Sequence, residues 1–153
     1  MKISLVLAIA MLAVAVPGAA TASGPPQAAT GTAVLTSFVV SSTRSADGNA
    51  INDGVATWVL SGTVTGTAVE QFEQIVFPDG SFVYQATGTV SGSAGTCGTG
   101  TMPFRSHAFG TFASYTGRHV GIDQASTSAD VILSFDFVGS GGTLVYTGSY
   151  DCH

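Results

Sequence analysis

Lysine is almost missing from this sequence: the only one among 153 residues is Lys2, and three arginines, Arg44, Arg105 and Arg118, stand against nine acidic residues. Binding nucleic acid by neutralising phosphates needs clustered Lys or Arg, so that class of partner is excluded. Charged residues make up 8% of the chain and hydrophobic ones 45%, which is too apolar a balance for a disordered protein. Helical patterning is missing too. No window beyond residue 22 carries an apolar stripe of period 3.6, and glycine and β-branched residues work against helix throughout. Chemical motifs are equally scarce. There is no Gly-x-Ser-x-Gly elbow, phosphate loop or dinucleotide fingerprint, so hydrolase, nucleotide and redox-cofactor readings lack support and no cofactor is expected. His107, His119 and His153 are scattered without metal-ligand spacing, which argues against zinc. The oxygen-rich stretch from Asp47 to Gly54 fails as a calcium loop, because Ile51 sits at a ligand position, Asn52 replaces the turn glycine and no Glu follows. It reads better as a turn.

The first 22 residues have a different character. Lys2 precedes a 14-residue run, Ile3 to Val16, that is apolar except for Ser4, then Pro17-Gly18 and the small-residue site Ala20-Thr21-Ala22. This is the layout of a secretion signal cleaved before Ser23, and the run is shorter than the ~20 residues a spanning helix needs. No membrane span is expected once it is removed. The mature balance of three arginines against nine acids is then −6. Export to an oxidising compartment makes a disulfide the natural reading of the only two cysteines, Cys97 and Cys152.

Residues 23–30, with Pro25 and Pro26, read as a flexible leader to a single domain over residues 31–153. From Gly31 the chain alternates with period two and is rich in Val, Thr, Phe and Tyr. Breakers divide it into eight expected strands: Gly31 to Ser41, Val55 to Thr67, Val69 to Phe77, Ser81 to Gly92, Thr99 to Arg105, Phe109 to Tyr115, Ala129 to Val138 and Thr143 to Cys152. An all-β fold follows, either an eight-stranded antiparallel barrel or a β-sandwich. In-strand glycines permit the coiling a small barrel needs, which favours the barrel.

Phe77-Pro78-Asp79-Gly80-Ser81 is the clearest turn, a three-residue hairpin loop with Gly supplying positive φ. It fixes a register that pairs Val76 with Phe82, Gln74 with Tyr84, Phe72 with Ala86 and Glu70 with Gly88, all on one face. That face is richer in aromatics and is assigned inward. The same parity turns Trp58, Phe135, Tyr146 and Tyr150 inward. A cavity lined by Trp58, Phe72, Phe82, Tyr84, Phe135, Tyr146 and Tyr150 is expected, with Gln74 and Glu70 as polar exceptions; a filled core is the alternative. Glu70 would then be a carboxylate in an apolar interior, with a raised pKa suited to general acid or base work. The competing reading leaves it solvated at a strand end, beside a turn at Thr67-Ala68.

The block from Phe77 to Ser93 (Phe-Pro-Asp-Gly-Ser-Phe, then Thr87-Gly88-Thr89-Val90-Ser91-Gly92-Ser93) resembles small secreted bacterial proteins with an allene-oxide-cyclase-like barrel. Val145-Tyr146-Thr147-Gly148-Ser149-Tyr150 is similar to their closing strand, and Gly31-Thr32 to their opening one. The resemblance implies an eight-stranded, calycin-like antiparallel barrel with a short helix or tail and, for most bacterial members, no assigned activity. Plant members of this structural group isomerise a fatty-acid epoxide with an interior carboxylate and ordered water; no residue here matches those catalytic positions. Three functions are therefore carried forward: a secreted barrel that binds a small apolar molecule; a cyclase or isomerase acting on a lipid-like substrate through Glu70; and a surface or matrix protein whose Thr-rich outer faces make the contacts.

Overall fold

The computed structural model describes residues 25–121 and 131–152. The expected signal lies outside the described residues, as do the segment before the seventh strand and His153. Eight strands follow one another: β1 Gln27–Ala46, β2 Asn49–Gly62, β3 Val64–Val76, β4 Ser81–Ala94, β5 Thr99–Thr111, β6 Ser114–Gly121, β7 Val131–Ser140 and β8 Thr143–Cys152. Each pairs antiparallel with its neighbour in sequence, and β8 returns to β1, with Gln27 opposite Tyr150 and Val34 opposite Thr143. The fold is a closed up-and-down barrel, in which β1 beyond Val34 pairs with β2 alone. Among the described residues no helix is long and apolar enough to cross a membrane.

The Pro-Asp-Gly bend sits where expected. Phe77 N–H donates to the Ser81 carbonyl at 2.9 Å, Gly80 N–H donates to the Phe77 carbonyl at 3.0 Å, and Gly80 has φ 82°. The β3–β4 ladder then pairs Val76 with Phe82, Gln74 with Tyr84 and Glu70 with Gly88. Phe72, Phe82, Tyr84, Ala86 and Val90 are buried while their strand neighbours face out.

Several boundaries differ from the sequence reading. β1 starts at Gln27, inside the expected leader, because residues 27–30 complete the ladder to β8 and Tyr150 donates a hydrogen bond to Gln27 Oε1 at 2.8 Å. β2 starts at Asn49: Asp47 and Gly48, with φ 52° and 80°, form the tight turn, and Asn52 and Asp53 lie in the strand rather than in a loop. β2 ends at Gly62 (φ 109°), so the corner lies at Gly62-Thr63 and not at Thr67-Ala68. β5 runs through the expected break to Thr111, and the next turn is Phe112-Ala113.

The glycines in the strands have a use beyond coiling. Gly31, Gly54, Gly117 and Gly139 stand directly opposite Tyr146, Phe72, Phe137 and Tyr115. A Cβ at any of the four would collide with the facing ring, for example 2.6 Å from Phe72 Cζ at Gly54. Each ring lies flat over a missing side chain, so aromatic bulk is stored against the wall and not along the barrel axis.

Turns β1–β2, β3–β4, β5–β6 and β7–β8 lie at one end of the barrel. The other end is filled. Tyr146 and Val64 are fully buried there, and the Tyr146 hydroxyl accepts from Val64 N–H at 3.0 Å. A Cys97–Cys152 disulfide ties the β4–β5 loop to the end of β8 at that same end. Such a bond is consistent with an oxidising, extracytoplasmic compartment.

Candidate functional site

One cavity of about 250 Å³ occupies the barrel interior. Its lining includes Phe38, Phe112 and Gly141, which are exposed at the end of the barrel that carries the β3–β4 and β5–β6 turns. The mouth is therefore at that end, and the chamber is blind toward the disulfide. Phe112 packs on Phe82 with centroids 5.3 Å apart, and Gly141 N–H donates to the Phe112 carbonyl at 2.8 Å. These contacts hold the rim of two turns together.

Glu70 is in the middle of β3 and lines this cavity with only 5% of its surface exposed. It is not solvated at a strand end, because the corner at Gly62-Thr63 lies seven residues before it, beyond the start of β3 at Val64. Two donors meet on one of its oxygens: Trp58 Nε1–H from β2 at 2.8 Å and the Tyr84 hydroxyl from β4 at 2.6 Å, both to Oε1. The local cause is register. Ala56 and Gly88 are the residues directly opposite Glu70, and their small size leaves room for Trp58, two positions along β2 from Ala56, and Tyr84, four positions along β4 from Gly88, to reach the carboxyl. Burial pushes the Glu70 pKa up, opposed by the Tyr84 and Trp58 hydrogen bonds. The Tyr84 hydroxyl is itself pushed upward by burial and by the adjacent carboxyl, so it remains a donor. In its neutral form the acid carries its proton on Oε2, since Oε1 already accepts twice. Gln74, also buried, receives a hydrogen bond from Asn52 at 3.4 Å and sits nearer the mouth.

Of the residues expected to line the chamber, Trp58, Gln74, Phe82, Tyr84 and Phe135 do so. Phe72, Tyr146 and Tyr150 do not. Phe72 is stacked between Phe38 and Tyr84 at 4.4 and 5.2 Å and lies over Gly54, within the wall. Tyr146 is spent on the backbone of Val64 and Ser61, and Tyr150 on Gln27, which makes both part of the closed end. The sequence reading missed Ser106 and His119. Both line the cavity, from β5 and β6. Alternation from Met102 through Phe104 and Ser106 to Ala108 was the available signal, hidden by ending the strand at Arg105.

The cavity wall holds one acidic side chain and no Lys or Arg. Arg44, Arg105 and Arg118 are all exposed, and Arg44 is engaged outside with Asp53 and Glu73 at 2.6 and 2.7 Å. Among the described residues no group of His, Cys, Asp and Glu could hold a metal ion. The chain matches no protein-family model, and no curated protein is significantly similar to it.

Proposed function

We propose that the protein binds a small, uncharged, apolar molecule inside the barrel, with the Glu70 carboxyl as its polar anchor. The observation that carries this reading is the placement of Glu70: a buried acid in an apolar chamber with a mouth, its Oε1 held by two donors and its Oε2 left for a guest. A volume of 250 Å³ corresponds to about eight bulk waters at ~30 Å³ each, hence to an organic molecule of about ten heavy atoms. With no cation in the wall, a carboxylate guest would bury its charge unpaired beside Glu70, which is strongly unfavourable. The signal layout and the disulfide support secretion, and the resemblance to allene-oxide-cyclase-like barrels supports an interior site.

Equilibrium titration with a naphthol, read by loss of emission from Trp58, tests this reading. Saturable one-to-one binding of the naphthol, with none of octanoate at neutral pH, is the expected result. Tight octanoate binding, or no saturable response to any uncharged compound of this size, overturns it.

A second reading, proton transfer to a lipid-like substrate in a cyclase or isomerase, is favoured by the same carboxyl, whose burial suits a general acid. Turnover of an uncharged substrate that disappears in Glu70→Gln would be its signature.

A further inference from the structure

Glu70 is not the only polar group the chamber holds. His119 on β6 stands directly opposite Ser106 on β5, and both side chains face the cavity. Side chains so opposed have Cβ atoms about 5 Å apart, close enough to share one ligand atom. The His119 ring is clamped between Phe104 and Phe135, with centroids at 4.2 and 4.4 Å and interplanar angles of 26° and 5°. It is 6% exposed, and its Nε2 has no hydrogen-bond partner among the described residues. Nor does any described residue bond the Ser106 hydroxyl. A buried polar atom left without a partner is costly. Phenylalanine would stack in the same slot without that cost, so the packing alone does not account for an imidazole there.

The geometry points to a second polar subsite at Ser106 and His119, which takes a hydroxyl group of the ligand while Glu70 holds another oxygen across the chamber. This rests on the reading of the cavity as a ligand chamber and narrows its guest to an apolar body with two oxygen functions, one of them a hydroxyl. Hydroxyl is the group that fits because it both donates and accepts. With a bare Nε2 the ligand O–H donates to His119 and accepts from Ser106; in the other tautomer Nε2–H donates to the ligand oxygen and the ligand O–H donates to Ser106. A ketone or an ether can only accept, so it leaves a bare Nε2 unpaired and satisfies both groups in the Nε2–H tautomer alone, whereas a hydroxyl pairs with both in either tautomer. Burial holds the imidazole neutral, its pKa brought down to about 3, so the subsite carries no charge.

Three matched probes separate the claims: a naphthol, the best-bound isomer of dihydroxynaphthalene, and the monomethyl ether of that isomer. In the wild type the diol should bind about tenfold tighter than the naphthol, as expected for two added hydrogen bonds of ordinary strength, and the ether should lose that gain. In His119→Phe the gain should vanish while naphthol affinity stays within about twofold; Ser106→Ala, a milder change, should remove part of it. A diol advantage that survives both substitutions, or a wild type that binds the naphthol but does not prefer the diol, overturns the subsite and leaves the chamber standing. If the naphthol itself does not bind, the chamber reading falls first and the subsite with it. Matching thermal melts for the two variants and the wild type establish that each variant is folded, and Ser106→Ala carries the test alone if His119→Phe is not.

Discussion

Glu70 should write its protonation into the stability of the barrel, and the direction follows from its surroundings. Its carboxyl is buried at 5% exposure, and desolvation outweighs the two hydrogen bonds at Oε1, so the native acid keeps its proton to a higher pH than the unfolded chain does. Between the ordinary carboxylate range and the raised native value, the folded protein binds one proton more than the unfolded one. Unfolding free energy therefore falls as pH rises through that window, with a limiting slope of about 1.4 kcal/mol per pH unit from this group. Below the window the contribution is fully present; above the native value it is gone. Glu70→Gln keeps an acceptor for Trp58 and Tyr84 but has no proton to lose. Urea unfolding followed by far-UV circular dichroism, for wild type and Glu70→Gln between about pH 4 and pH 9, isolates the effect as the difference of the two curves. The variant should gain on the wild type steadily through the window and then hold a constant lead. Parallel curves across the whole range would refute the reasoning, because they would mean that the carboxyl titrates alike in both states.

His119 gives the opposite sign. Its native pKa near 3 lies below the unfolded 6.5, so the unfolded chain binds the extra proton between those values and stability rises with pH there; His119→Phe should abolish that rise in the same urea experiment, and an unchanged acid limb would contradict it. The Cys97–Cys152 bond spans 55 residues of sequence, and replacing both cysteines by alanine should cost up to about 4 kcal/mol, read as unfolding free energy with the m-value fitted for each protein. A loss below about 1 kcal/mol would mean that the unfolded chain is not constrained by the loop. Gly88→Ala should destabilise by roughly 1–3 kcal/mol and weaken naphthol binding, because the new methyl would lie against the Val69 carbonyl and 2.7 Å from Glu70 Cα; unaltered melting would refute this close approach.

The parts of the fold that could be read from sequence are those where a single chemical feature fixes parity. Pro78-Asp79-Gly80 pinned β3 to β4, and from that one bend the inward placement of Glu70, Phe72, Gln74, Phe82 and Tyr84 followed by counting in twos. Closure into a barrel was legible more weakly, through glycine content, though the role of Gly31, Gly54, Gly117 and Gly139 as seats for rings depends on which residues face them across the ladder. The second polar subsite was hidden by a turn without turn residues. Phe112-Ala113 carries no Gly, Pro, Asn or Asp, whereas Ser106-His107 looked like a break, so β5 was cut short and the parity that turns Ser106 and His119 inward was never extended. Phe72, Tyr146 and Tyr150 were correctly assigned to the inner face, but alternation tells the side of a strand and not the depth along the barrel. Whether an inward ring lines a space or plugs an end is settled by partners such as Val64 and Gln27, which are remote in sequence.

The indole of Trp58 offers the most direct view of the chamber. It is the only tryptophan in the chain, it lines the cavity, and its N–H is bonded to Glu70. A nuclear magnetic resonance titration of that single indole N–H signal with the naphthol should move it saturably, to an end point displaced further in the wild type than in Glu70→Gln. A signal that stays in place up to the solubility limit of the compound would mean that nothing enters beside the buried acid.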